Sequence, residues 1–496
     1  MRSAATIATG SLIAASVASA QVVQWDIAKR TTGVPKLTRR ADGTVEEIIT
    51  NEKNRGGYFA SCSVGTPAQN LTLQLDTGSS DIWVPSSSSS VCTSTDSSSS
   101  SSGSQGCTLG SYNPDDSSSF QVIGQNDFSI SYVDGSHSEG DYITETFSIG
   151  DSTLENMTMG LGLDTTIPYG LVGVGYALNE AIVASTGRAS SAYNNLPVQM
   201  REEGLINSNA YSLWLNDLDA STGNILFGGI DTDKYQGDLT RINIYKDSRS
   251  QAFTSFIVAL TSLGAYSSSG SDALSSSEFP IPVVLDSGTT FSYLPNDLAQ
   301  QVWREVGAGY NSDVGVAVLP CEMENSKGYF SFGFAGVGGP VINVTMDELV
   351  LPLTTGEPLK FQSGTYEGQD ACQFGIQNFS SDPFLLGDTF LRSAYVVYDL
   401  ENNQIGIAPT DFNATTSNIV AFPSQGAPIP SATVAPSQDA ISSGSLTTPT
   451  YGASGGFRDN ASSAASLPPS FDWSHAAVVC ASVAFMMVGS GGFLLL

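Results

Sequence analysis

Histidine is almost missing from this 496-residue chain, with His137 and His475 the only two. That shortage argues against a Ser-His-Asp triad or a Cys-His pair, and it leaves no histidine cluster for zinc. Positive charge is scarce as well: 19 Lys and Arg stand against 48 Asp and Glu, a formal charge of -29. No Lys or Arg occurs between Gly56 and Gly187, whereas residues 1–55 carry eight of the nineteen. A nucleic-acid partner is excluded on that balance. The acidity suits a protein kept soluble in acid, or one that draws in cationic substrates. Stretches with helical periodicity are few. What the chain does have is Gly (50 residues) and short Val/Ile/Leu/Phe runs broken by Gly, Ser, Asn and Asp. That pattern predicts a mainly β protein.

Six cysteines fit an oxidising compartment. Local pairing is expected for Cys92–Cys107, which bracket a Ser-rich stretch, and for Cys321–Cys372. Cys480 lies in an apolar tail, so Cys62 is left as a free thiol on a buried strand.

Residues 1–20 read as a signal peptide, with Arg2, an apolar middle and Ala18-Ser19-Ala20 before Gln21. Residues 21–55 read as a propeptide carrying dibasic pairs at Lys29-Arg30 and Arg39-Arg40. Two lobes are expected at residues 56–235 and 236–410, the first interrupted by the low-complexity Ser86–Gly106 insertion, taken as a surface loop. Residues 411–462 are rich in Ser, Thr, Pro, Ala and Gly and are expected to form a coreless stalk. Residues 463–496 end in an apolar run with no basic flank, the pattern of a GPI-attachment signal that is cut away. Attachment is placed at Asn460 or Ser462; a single membrane span is the alternative. Sequons at Asn70, Asn156, Asn343, Asn378 and Asn413 are expected to carry N-glycans, and Asn460 lies in a sixth.

The chemistry-bearing signal is a pair of matched turns. Leu75-Asp76-Thr77-Gly78-Ser79 and Leu285-Asp286-Ser287-Gly288-Thr289 stand 210 residues apart. Leu171-Val172-Gly173 ends 97 residues after Asp76, and Leu385-Leu386-Gly387 ends 101 residues after Asp286. This is an internal duplication in which each copy delivers one carboxylate to a glycine turn. Brought face to face, two such carboxyls cannot both ionise, so they share a proton. The ionised member can then take a proton from water while the protonated one polarises a carbonyl, without metal or other cofactor.

From about Tyr58 to Pro409 the chain resembles the pepsin-like aspartic proteases. The resemblance rests on both Asp turns and on Gly65-Thr66-Pro67, Ile82-Trp83-Val84-Pro85, Tyr132-Val133-Asp134-Gly135-Ser136, Ala210-Tyr211-Ser212-Leu213-Trp214, Phe227-Gly228-Gly229-Ile230-Asp231 and Gly387-Asp388-Thr389-Phe390-Leu391. It implies a mainly β, bilobal fold with pseudo-two-fold symmetry and a cleft between lobes. Asp76 and Asp286 would form the dyad and Thr77 and Ser287 a cross-braced pair beneath it. Gly78 and Gly288 complete the turns, and Ser79 and Thr289 would orient the carboxylates. Tyr132 would sit on a flap closing over substrate, bonded by the Trp83 indole. Signal, dibasic leader, stalk and tail together resemble the fungal yapsin subgroup, which favours cleavage beside Lys or Arg. Asp134, next to Gly135 on the flap, is the residue expected to meet that basic side chain; its alternative role is to form the turn. The overall expectation is a monomeric acid endopeptidase acting on proteins or peptides, held to the membrane or wall by a GPI lipid. Two alternatives stand beside it: an inactive surface glycoprotein using the fold for binding, and a freely secreted or vacuolar protease of apolar specificity.

Overall fold

The computed structural model describes residues 23–29, 36–39, 45–48, 57–94, 106–150, 152–220, 222–354, 357–438 and 448–458. The expected signal peptide, the tail from residue 459, and with it Asn460 and Ser462, lie outside the described residues. The fold is mainly β, as the alternating runs predict. A 14-stranded sheet, an 8-stranded sheet and a 4-stranded sheet account for most of it, and the longest described helix is Asn296–Val306. No helix among the described residues is long and apolar enough to cross a membrane.

The duplication seen in the sequence is a duplication of strand pairing. Strand Gln69–Asp76 lies parallel to Leu171–Gly173, with Leu75 opposite Val172 and Asp76 opposite Gly173. In the second half, strand Ile281–Leu285 lies parallel to Phe384–Leu386, with Leu285 opposite Leu386. The strand after each turn then packs antiparallel on the same short partner: Trp83 pairs with Leu171, and Tyr293 with Leu385. Glycine is required where these pieces cross. A Cβ on Gly173 would stand 2.6 Å from Ser80 N, and one on Gly387 would stand 2.3 Å from Thr289 O. Close to each turn the lead-in strand is buried on both faces: Leu73 and Leu75 on one side and Gln74 on the other, and likewise Val283 and Leu285 against Val284, are each at most 2% exposed.

The halves meet in the large sheet. Ala210–Trp214 runs antiparallel to Ala394–Asp399, so first-half and second-half strands share one hydrogen-bonded layer. Below it Tyr211, Phe256 and Tyr398 pack ring against ring, with centroids 4.6 Å apart for Phe256 and Tyr398 and 4.9 Å for Tyr211 and Tyr398. Strand Val23–Lys29, within the expected propeptide, is part of this sheet. It lies between Gly223–Phe227 and Tyr58–Val64.

Cys92–Cys107 and Cys321–Cys372 are disulfide-bonded, and Cys62 is a buried free thiol. Asn70, Asn156, Asn343 and Asn413 are exposed, as glycan acceptors need to be. Asn378 is half-buried and donates its amide to Asn296 Oδ1 at 3.0 Å.

One expectation is corrected. Residues 411–438 and 448–458, assigned to a coreless stalk, pack on the body of the protein. Ile419–Ala421 pairs with Gly229–Asp231, and Thr433–Val434 adds in parallel to Thr240–Asn243 at the edge of the large sheet. Phe422, Ile429 and Phe457 are buried in existing cores. Three apolar anchors at irregular spacing make no periodic pattern, so composition alone reads as stalk. Strand addition to existing edges supplies the backbone partners such a segment could not find by itself.

Candidate active site

Each Asp turn is built the same way. Gly78 N donates to Asp76 Oδ1 at 2.8 Å and Gly288 N to Asp286 Oδ1 at 2.9 Å. The outer oxygens are held by hydroxyls: Ser79 donates to Asp76 Oδ2, and Thr289 donates to Asp286 Oδ2 at 2.6 Å. Beneath the turns the lobes are tied reciprocally. Ser287 N donates to Thr77 Oγ1 at 2.9 Å, and Thr77 N to Ser287 Oγ at 3.2 Å. Each hydroxyl then passes its own proton to the opposite lobe, Thr77 to Leu285 O at 3.0 Å and Ser287 to Leu75 O at 3.2 Å. Both hydroxyls therefore donate and accept, and nothing in the crossing is left over.

This clamp brings Asp76 and Asp286, both without exposure, into hydrogen-bonding contact. The approach is so close that a Cβ on Gly78 would stand 2.5 Å from Asp286 Oδ1. Burial raises both carboxyls above the ordinary range. Asp286 is pushed up to about 6, its hydrogen bonds from Thr289 and Gly288 limiting the rise. Asp76 is driven well above the usual carboxylate range, by burial first and then by the charge of Asp286. The pair thus keeps one proton across the acid range.

Over the pair lies the hairpin of strands Gln121–Ser131 and His137–Ile149. Its turn is closed by Gly135, at φ 84°, and by Asp134, whose Oδ1 accepts from Ser136 N at 2.9 Å and Ser136 Oγ at 2.6 Å. Tyr132 is 2% exposed and accepts the Trp83 indole N–H on its hydroxyl at 2.8 Å. Val133 packs against the Val284–Leu385 cluster of the opposite lobe, on which Tyr293 also packs. Tyr293 also lines a cavity of about 280 Å³ with Tyr310, Val316, Gln377, Asn378 and Phe379. Asp134 is exposed on the flap, with its carboxylate tied into its own turn. The other expected site residues are brought together. Among the described residues no group of His, Cys, Asp and Glu is arranged to hold a metal ion.

Several residues around the dyad carry no motif. Asn179 Nδ2 donates to Gly78 O at 3.1 Å, bracing the first turn from outside. Asp81, fully buried, accepts from Ala181 N at 2.8 Å and Tyr193 Oη at 2.7 Å. Glu180, also fully buried, accepts Tyr193 N on Oε2 at 2.8 Å, and its Oε1 has no partner among the described residues. Arg392, buried behind the second turn, pairs with Glu348 and bonds Tyr58 of the first lobe. A sequence reading could have noticed Asp81, which follows Asp76 by five residues and stands immediately before the apolar run Ile82-Trp83-Val84. Nothing local marks Glu180 or Glu348.

Two carboxyls on glycine turns, sharing a proton beneath a hairpin lid, define an aspartic-type peptide hydrolase. The chain belongs to the eukaryotic aspartyl protease family, which it matches over residues 57–410. It is 42% identical over 417 residues to the probable aspartic-type endopeptidase opsB of Aspergillus oryzae, covering 83% of this chain and 81% of that one. It is 30% identical over 411 residues to aspartic proteinase yapsin-3 of Saccharomyces cerevisiae, covering 81% and 74%. Among solved structures it is similar to the aspartic proteinase of Irpex lacteus, at TM-score 0.55 and 20% identity over 80% of this chain and all of that one. The protein is an aspartic endopeptidase of bilobal pepsin-like fold.

Burial raises Glu180 to about 10, with the nearby Asp81 adding to the rise, and raises Asp81 itself to about 6. A carboxyl raised on folding favours the native state while it stays protonated. That stability is complete below the unfolded carboxyl range and is lost as pH climbs toward the folded value. Stability should therefore fall from about pH 4.5 upward. The variant Glu180→Gln keeps an acceptor for Tyr193 N but cannot ionise. Urea unfolding at pH 4.5 and 7.5 should give a smaller loss at the higher pH in Glu180→Gln than in the parent. An equal loss in both would show that Glu180 does not drive it.

Proposed function

We propose that this endopeptidase works at acid pH on the outer surface of the cell, with Asp76 and Asp286 as its catalytic dyad and a preference for Lys or Arg beside the cut bond. The observation that carries the dyad assignment is the reciprocal Thr77–Ser287 clamp, which holds both carboxyls in mutual contact beneath Tyr132. In the cleft, the ionised carboxylate removes a proton from water as the oxygen attacks the peptide carbonyl. The protonated carboxyl donates to the carbonyl oxygen as negative charge gathers there. A proton then moves to the leaving nitrogen and the C–N bond breaks, which yields an acid and an amine. Ser79 and Thr289 keep each carboxylate in plane, and Tyr132, fixed by Trp83, closes the water-poor side. Replacing either Asp76 or Asp286 by Asn should lower kcat by at least about a thousandfold with little change in thermal unfolding. Activity retained in either variant would remove that residue from the dyad.

Asp134 is the proposed contact for the basic side chain. Its second oxygen extends from an exposed turn beside the flap tip, in a lobe without Lys or Arg from residue 57 to 187. An exposed pair of this kind is worth up to about 1 kcal/mol, a fewfold effect on selectivity. Asp134→Thr should lower the ratio of cleavage after Lys to cleavage between apolar residues by about threefold. An unchanged ratio would leave Asp134 with its turn-forming role alone.

Residues 21–55 are proposed as a propeptide. Strand Val23–Lys29 ends at the first dibasic pair, so a cut after Arg30 would leave that strand attached to the sheet without a covalent link to the chain that follows. Surface attachment through a GPI lipid near Asn460 or Ser462 is supported by the small-residue site, spacer and apolar end of the sequence. Phosphatidylinositol-specific phospholipase should release the activity from intact cells. Activity found free in the medium before treatment, or retained after it, would favour secretion or a membrane span instead.

A further inference from the structure

Residues 448–458, beyond the part of the chain that matches the family, close on the C-terminal lobe where two carboxyls meet. Asp272, on the hairpin Ile257–Leu274, takes three donors from this segment. Thr450 N and Thr450 Oγ1 reach its Oδ1 at 2.9 and 2.6 Å, and Ala453 N reaches its Oδ2 at 2.9 Å. Ser454 Oγ donates to Glu305 Oε2 at 3.1 Å. Phe457 stacks on Phe330 with centroids 5.3 Å apart. The Arg458 guanidinium donates to the carbonyls of Arg304 and Glu305 at the end of helix Asn296–Val306.

Glu305 is the odd member. Its side chain is fully buried and its Oε1 meets no donor among the described residues. Its carboxyl lies in hydrogen-bonding contact with that of Asp272, both of whose oxygens already accept from the segment. Two acceptors face each other there, and only a proton on Glu305 turns the approach into a bond.

We propose that residues 448–458 form a proton-locked clip, docked while Glu305 and Asp272 share one hydrogen and undocked when it is lost. The charged and titratable groups facing Glu305 are few. Asp272 comes from the hairpin, Arg458 from the clip, and Arg304 from its own helix, turned over the Tyr451 ring at 4.9 Å. Tyr366 of the adjoining loop donates to Gly307 O. Burial first, then the charge of Asp272, raises Glu305 to about 7, while Arg458 and Ser454 oppose the rise. Asp272 is held low by its donors from Thr450 and Ala453 against the push of burial. With Glu305 raised on folding, the bond is complete at acid pH and is lost as pH rises through neutrality. Ionised, the two carboxylates repel, and the Arg458 cation that opposes the rise in Glu305 belongs to the departing segment. Clip opening would free the chain from residue 448 onward. In acid the same residues hold the exit of the chain against the C-terminal lobe. The device does not depend on the proposed lipid attachment.

Hydrogen exchange of the full-length protein tests this, followed by mass spectrometry at pH 5 and pH 8 and corrected for intrinsic exchange. Amides of residues 450–458 should lose protection on the order of tenfold at pH 8 relative to pH 5. Those of the strand Ala394–Asp399 should stay protected as an internal control. In Glu305→Gln the amide can donate to Asp272 at any pH, so protection should persist at pH 8. In Asp272→Asn the clip should be open at both values, with cleavage of a short peptide at pH 5 confirming the fold. Equal protection at pH 5 and 8 in the parent, or the same loosening in Glu305→Gln, would overturn the proposal.

Discussion

Two hydroxyls carry the architecture of this protein. Thr77 and Ser287 each accept a backbone N–H from the other lobe and each donate to a carbonyl of the other lobe. Four buried bonds crossing a pseudo-two-fold axis leave no slack in how the lobes sit. Each is worth about 1 kcal/mol net, but any one left unmade at zero exposure would cost more than that. The clamp is therefore a constraint on geometry more than a source of stability. It forces two carboxyls into a contact that they would avoid if free, and the proton they share follows from that forced contact.

Carboxyl burial without a cation runs through the rest of the molecule. Asp81 and Glu180 beside the first turn, and Glu305 under the C-terminal segment, are all raised chiefly by burial. Arg392 with Glu348 is the exception, where a guanidinium meets the charge directly. In neutral surroundings such groups would be a liability, because an ionised carboxylate without a partner is costly inside a protein. In acid they are neutral and behave as polar packing. The low cation content of the first lobe leaves its buried carboxyls to be neutralised by protons rather than by ion pairs.

Much of the site was legible in the chain because function here is carried by short, repeated local strings. Asp-Thr-Gly-Ser and Asp-Ser-Gly-Thr contain both the carboxylate and the residues that hydrogen-bond it, so one turn can be read by itself. The Leu-Xaa-Gly partners were legible for a steric reason, since only glycine tolerates the crossing at 173 and 387. The packed residues 411–438 and 448–458 were misread because Phe422, Ile429 and Phe457 are anchored by cores built from distant residues. Glu180 and Glu305 were unreadable because a buried Glu looks like an exposed one until its neighbours are known.

From the amino-acid order came the class of chemistry and the duplicated frame, since each depends on residues adjacent in the chain or repeated within it, while the flap tyrosine came from the family resemblance. The tertiary structure alone decided which carboxyls are buried together, where their protons sit, and that the C-terminal segment is docked. Those properties depend on desolvation and on contacts between residues far apart in the chain, 212 positions for Ser287 and Leu75 and 181 for Asp272 and Ala453. Solvent exclusion is a property of the assembled fold, and no local string of residues encodes it.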